Sequence, residues 1–135
     1  DDNSFDVIFF NHVLEHIRED ETALAEIYRV LRPGGLLILG VPNEGAFFWQ
    51  LAYKLQPATL ATSDHVHFYT ADLINEKCSR AHFQIKEIYP IGWGIPHWRY
   101  DAKIRKYKWV DDLLEQIGRF LLPSQATSLY VIATK

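Results

Sequence analysis

The chain has a single cysteine, Cys78, among 135 residues. One thiol cannot close an internal disulfide, so a disulfide-framed scaffold is excluded and a reducing cytoplasm is the natural compartment. Apolar neighbours at helical spacing make Cys78 a buried, inert thiol rather than a nucleophile. No apolar stretch approaches the roughly 20 residues of a membrane span, which excludes stable membrane insertion, and the N-terminus is acidic rather than signal-like. Positive charge is scarce too. Against 17 Asp and Glu stand 14 Lys and Arg, a net charge of -3, which argues against nucleic acid as a partner. No glycine precedes Gly34, so no glycine-rich G-x-G phosphate loop precedes the first apolar run. There are no repeats, low-complexity tracts or linkers, and the length fits one domain with a sizeable core.

Two segments stand out. FDVIFFNHVLEHI, residues 5–17, is an apolar run that stops at a polar Asn11-His12; LRPGGLLILGVPN, residues 31–43, is a Pro-Gly-Gly turn, a second apolar run and another polar tip at Pro42-Asn43. Continuous apolar runs of this length read as strands buried on both faces, the pattern of parallel strands in an α/β sheet. Between them, Glu19-Asp20-Glu21 suits a helix N-terminus, and Leu24, Ile27, Tyr28 and Leu31 recur at i, i+3, i+4, i+7. The unit is therefore strand-helix-strand, expected parallel and right-handed.

Residues 44–56 are apolar almost all round, with Phe47, Phe48, Trp49 and Tyr53, and should be buried, cover a ligand or contact a partner. Thr70 is placed to cap a helix through Ala81 with Ile74, Cys78 and Ala81 on one face. A strand over 84–90 follows. Residues 91–102 read as a Gly/Pro/Trp-rich loop, and a helix is expected over 103–122 with Val110, Leu113, Leu114, Ile117 and Leu121 on one face. A last strand runs from Leu129 to Thr134.

The two opening segments resemble the middle of a class I S-adenosylmethionine-dependent methyltransferase, in the group that methylates small molecules. The resemblance implies an α/β, Rossmann-like fold over residues 1–135. The element order then corresponds to strands four to seven with their flanking helices, the first half of the sheet being absent. The aromatic segments, at about 44–64 and 91–125, are insertions on that plan. The implied activity is methyl transfer from S-adenosylmethionine to a small acceptor. Seven aromatics in two insertions favour an apolar or ring-bearing one (Phe47, Phe48, Trp49, Tyr53, Trp93, Trp98 and Tyr100). Without the glycine loop and its acidic ribose ligand, the chain alone is expected to be inactive and to bind the cofactor weakly. The alternative is a non-catalytic binding module that kept the scaffold, or a subunit whose other half comes from a second chain.

Ligands of open α/β sheets sit beyond the carboxyl ends of the strands. The resemblance therefore assigns Asn11, His12 and Leu14 to the cofactor side. His65 and His67, in DHVHFYT, resemble the segment that brings a histidine to the acceptor, where a ring with pKa near 6.5 accepts a proton. Alternation puts both on one face if the segment is extended. His12, Glu15 and His16 fall at i, i+3, i+4 on one helical face and could in principle hold a metal. The expected reading is metal-free, a trio that packs and hydrogen-bonds beside the cleft. His82 and His97 are structural, and the run Lys103 to Lys108 is a solvated face. FDVIFF has no charge or proline between Val7 and Phe10, so as an unprotected edge it should drive self-association into a homodimer, unless a separate N-terminal half covers it.

Overall fold

The computed structural model describes residues 1–61 and 63–135, without the side chains of residues 59, 60, 98 and 99. Four strands form one sheet in the spatial order β1-β2-β4-β3: β1 (Phe5–Asn11), β2 (Leu31–Pro42), β3 (Gln84–Ile91) and β4 (Ser128–Thr134). β1 and β2 run parallel, joined by α1 (Asp20–Val30). β4 inserts antiparallel between β2 and β3. This is the expected succession, with the last strand antiparallel.

β2 starts earlier than the run at 36–41 suggests. Phe5 pairs with Leu31 and Val7 already with Leu36, so the Arg-Pro-Gly-Gly segment bulges out of the ladder, with Gly34 in the left-handed region at φ 77°. Downstream, Leu37, Leu39 and Val41 point into the core beside Val131 and Ala133 of β4. Leu24 and Ile27 of α1 cover this face, as do Ile74 and Cys78 of α4 (Ala71–Arg80). The Cys78 thiol is fully buried, and burial pushes its pKa up to about 12, which leaves it inert.

Local signals explain the ends of α4. The Thr70 side chain accepts a hydrogen bond from the Leu73 N–H at 3.2 Å, satisfying a first-turn donor. At the other end His82 takes the left-handed conformation, φ 68°, which lets the Phe83 N–H reach back to the Cys78 carbonyl at 3.0 Å.

Two expectations need correction. Burial on both faces does not hold for β1: Ile8 and Phe10 pack against the core, whereas Val7 is 54% and Phe9 63% exposed. The reason is that α1 and α4 cover one face, and β1 is an edge of the sheet among the described residues. The helix expected over 103–122 is split, into α5 (Trp98–Ile104) and α6 (Lys108–Leu121). The Arg105 side chain folds back on Asp101 (2.8 Å), Asp111 and the Trp93 carbonyl (2.7 Å), and Tyr107 leaves the helical region. The apolar face expected for that helix is also largely open, with Leu113, Ile117 and Leu121 exposed; what α6 buries is Gly118, against the Trp93 ring. Two short helices, α2 (Phe47–Leu55) and α3 (Pro57–Ala61), occupy the first aromatic insertion. No helix among the described residues is long and apolar enough to cross a membrane.

Candidate functional site

The site lies beyond the carboxyl ends of the parallel strands β1 and β2, where the ladder stops and polar residues begin. At the tip of β1, the Asn11 side chain lies across Gly40 of β2, so close that a Cβ on Gly40 would fall 2.1 Å from Asn11 Oδ1. That Oδ1 is buried and has no hydrogen-bond partner among the described residues. A buried acceptor without a partner at a strand tip fits a ligand-facing group better than one satisfying its own backbone. His12 follows in the left-handed conformation, φ 51°, its N–H bonded to the Gly40 carbonyl at 2.9 Å. Sparsely populated backbone of this kind clusters at binding sites, and here it turns the chain sharply off the strand. Leu14 is different. Its side chain is fully buried in the core, so any contact with a cofactor there runs through its backbone.

After the turn, a single 3-10 turn (Leu14–His16) carries Glu15, which is only 1% exposed. Its Oε1 lies 3.3 Å from His12 Nδ1 and 3.7 Å from His16 Nε2, while its Oε2 has no partner among the described residues. Burial raises the pKa of this carboxyl, but the hydrogen bond and charge of His12 and the charge of His16 outweigh it, leaving the pKa below the usual carboxylate range. His12 and His16 thus both lie close to Glu15, but across a left-handed turn at His12 and a single 3-10 turn rather than along the helical face expected from the spacing.

The segment carrying His65 and His67 is strapped to the same turn, since the Val66 and His67 N–H groups both donate to the Glu15 carbonyl, at 2.8 and 3.2 Å. The two histidines then diverge. His65 Nδ1 lies 2.6 Å from Glu44 Oε1, and its ring packs edge-on against His16 at 4.9 Å between centroids. His67 Nε2 lies 3.0 Å from the Arg18 carbonyl and 3.7 Å from Asp20 Oδ2, in a network where Asp20 also receives hydrogen bonds from Tyr69 Oη (2.8 Å) and Lys77 Nζ (2.9 Å). His65 therefore sits with the strand-tip cluster, and His67 with the first turn of α1.

Glu44, not picked out from the sequence, joins this cluster together with Tyr53, which the sequence marked only as an aromatic of the insertion. Glu44 is 8% exposed; its Oε1 accepts from Tyr53 Oη at 3.0 Å and its Oε2 is buried without a partner among the described residues. Burial raises its pKa, the bonds from His65 and Tyr53 pull it down, and the nearby Glu15 charge adds to the rise; the net direction is up. The signal was a lone carboxylate one residue past the polar strand tip, before an apolar helix. Asn43, by contrast, spends its amide on the Ser124 and Ala126 carbonyls, at 3.1 and 2.8 Å, and serves to hold the connection into β4.

Beside the polar cluster the two aromatic insertions meet. Phe47 and Phe48 of α2, Trp93, and Leu114, Ile117 and Leu121 of α6 line an open cavity of about 560 Å³. Trp93 is held by the bond from its Nε1 to the Leu122 carbonyl at 2.7 Å, and Trp49 by the bond from its Nε1 to the Thr127 carbonyl at 2.8 Å. Trp49 also packs against both Phe48 and Tyr53, and lies 6.5 Å from the His65 ring, which links the cavity wall to the polar cluster. The side chain of Trp98 lies outside the described residues.

Known proteins match both the strand-tip segment and the fold. Residues 1–39 match the family model described as a methyltransferase domain. The chain is 28% identical over 107 residues to a demethylmenaquinone methyltransferase of Corynebacterium glutamicum, a span that is 73% of this chain and 46% of that protein. Among solved structures, an S-adenosylmethionine-dependent methyltransferase from Thermotoga maritima superposes with a TM-score of 0.70 at 18% identity, over 99% of this chain and 57% of that one. Another from Mesorhizobium loti gives a TM-score of 0.65 at 16% identity, over 100% and 63%. The chain thus spans about half the length of the curated relatives it matches. The fold is that of class I S-adenosylmethionine-dependent methyltransferases, and the sequence resembles theirs. S-adenosylmethionine is the cofactor of that class. Asn11 Oδ1, unpartnered at a strand tip pressed against a bare glycine, fits a group that receives it.

Proposed function

We propose that the chain forms the acceptor-side half of a methyltransferase domain that transfers the methyl group of S-adenosylmethionine to a small apolar or ring-bearing acceptor. The observation that carries this reading is the pairing of the strand-tip cluster with the aromatic cavity, linked through Trp49. The cofactor supplies an electrophilic methyl, and the protein has to hold the acceptor in line with it and keep water out. Asn11 and His12 hold the methionine end, and the aromatic walls seat the acceptor. His65, oriented by Glu44, takes the acceptor's proton where one must leave. His67 serves as a positioning residue, fixing the segment to α1 through the Arg18 carbonyl. With no glycine before Gly34, these 135 residues lack the loop that grips the adenosine end, so the chain alone has little turnover. The open β1 edge pairs with a second copy or with the remaining half of such a sheet. A reducing cytoplasm suits the single buried thiol.

The test is transfer of labelled methyl to paired apolar and polar acceptors by the protein that carries this chain. Trp93→Ala and Phe48→Ala should raise KM for the apolar acceptor with smaller effects on kcat, and His65→Ala should lower kcat. Equal use of polar acceptors, with KM indifferent to both cavity variants, would reject the apolar-acceptor reading.

A further inference from the structure

The methyl-transfer reading leaves two buried carboxylate oxygens unexplained. Glu15 Oε2 and Glu44 Oε2 lie within one cluster, both without a hydrogen-bond partner among the described residues. A buried polar oxygen left unpaired costs free energy, and a buried ionised carboxylate costs more, unless something binds it. Around Glu15 the fold brings one ligand atom each from Glu15, His16 and His65 to within 4.8 Å of one another. This set exchanges the His12 of the sequence trio for His65, fifty positions beyond Glu15.

The geometry points to a divalent transition-metal site formed by Glu15, His16 and His65. Two imidazoles and one carboxylate form the donor set that suits Zn²⁺ or a similar first-row cation, and three protein ligands leave a coordination position open. The outer contacts have the form such sites take. Metal-bound histidines hold their second ring nitrogen against a carboxylate or carbonyl, which fixes ring and tautomer. His65 has Nδ1 on Glu44, leaving Nε2 for a metal; His16 has Nδ1 3.1 Å from Asp64 Oδ1 and 3.4 Å from the Asp64 carbonyl, leaving Nε2 towards Glu15. His16, a third exposed, gives the ion a route from solvent. A cation here would also be partly neutralised by Glu44, which lies close enough for its charge to be felt at Glu15. The open position suits an acceptor oxygen, whose proton a bound metal makes easier to remove; with both ring nitrogens engaged, His65 would then hold the ion rather than act as the base. That use rests on the methyl-transfer reading; the site itself does not, so metal uptake and turnover can fail separately.

Metal uptake is measured on the chain with the ion alone. Calorimetric titration with Zn²⁺ should show one site per chain, and Co²⁺ should develop the visible absorption of a low-coordinate N/O site. His65→Ala and Glu15→Gln should abolish both signals, and Glu44→Gln should weaken uptake roughly 10- to 100-fold through loss of ring orientation. His12→Ala separates this set from the helical trio: retained uptake supports Glu15, His16 and His65, and lost uptake overturns them. Absence of one-to-one uptake by the unmodified chain overturns the site without reference to any variant. So does uptake that persists in His65→Ala.

Discussion

Replacing Gly40 by alanine probes the strand tip where the cofactor is proposed to meet the protein. The new Cβ would fall 2.1 Å from Asn11 Oδ1, 3.2 Å from Asn11 Cγ and 3.0 Å from Tyr130 Cε1. Overpacking of this kind costs about 1–3 kcal/mol. The low end applies, because the first atom met is the tip of a short side chain whose Oδ1 has no hydrogen bond to break. Against it, Gly→Ala removes freedom from the unfolded chain, a gain of about 0.4–1 kcal/mol. Gly40→Ala should therefore destabilise only slightly, while displacing Asn11 from the tip. In an Asn11→Ala background the closest clash disappears and only the Tyr130 ring has to move a few tenths of an ångström. There the same substitution should be neutral or stabilising, giving a coupling of about 1 kcal/mol between the two positions. Urea denaturation of the four chains measures it, as a midpoint difference of about 0.5 M for a slope near 2 kcal/mol per molar. An equal effect of Gly40→Ala in both backgrounds would show that Asn11 does not lie across Gly40, and would remove the geometric basis for its role.

Other outcomes follow from the same structure. Sedimentation at micromolar concentration should show at least a dimer, and Phe9→Lys should weaken it at least tenfold by placing charge on the exposed apolar edge; a stable unmodified monomer would contradict pairing through β1. Stability should fall in acid. Glu15 and Asp20 are both held below their ordinary values of 4.5 and 3.8, Asp20 because bonds from Lys77 and Tyr69 outweigh its burial. The stability each contributes is complete above its ordinary value and is lost as pH falls through the lower value of the folded state. Asp20→Asn should flatten the part of that decline that lies below the ordinary Asp value of 3.8, as read from denaturation midpoints, and an unchanged slope would mean the Asp20 network contributes nothing.

Much of the frame was legible because local chemistry fixed it. The strand character of 5–11 and 36–41 and the Thr70 cap each depend on neighbours within a few positions and appear as read, though β1 is not buried on both faces and β2 starts earlier, at Leu31. The break at Arg105–Tyr107 was not legible. It is made by Arg105 reaching Trp93, twelve residues back, together with Asp101 and Asp111, in a stretch whose charge pattern also suits a continuous helix. The site divides the same way. Asn11, His12 and Glu15 lie within one turn of chain, so their proximity followed from spacing. Glu44 pairs with His65 across 21 positions, and alternation alone would have kept His65 and His67 together. What separates them is the pull of Asp20 and the Arg18 carbonyl on one ring and of Glu44 on the other.

The central claim is that the tip of β1 receives the methionine end of S-adenosylmethionine. Amide chemical-shift mapping of the chain during titration with the cofactor tests it most directly. Weak binding, with a Kd of the order of 1 mM, and shifts concentrated at Asn11 to Leu14 and Gly40, is the predicted result. Micromolar binding, or shifts that avoid the strand tip altogether, would contradict it.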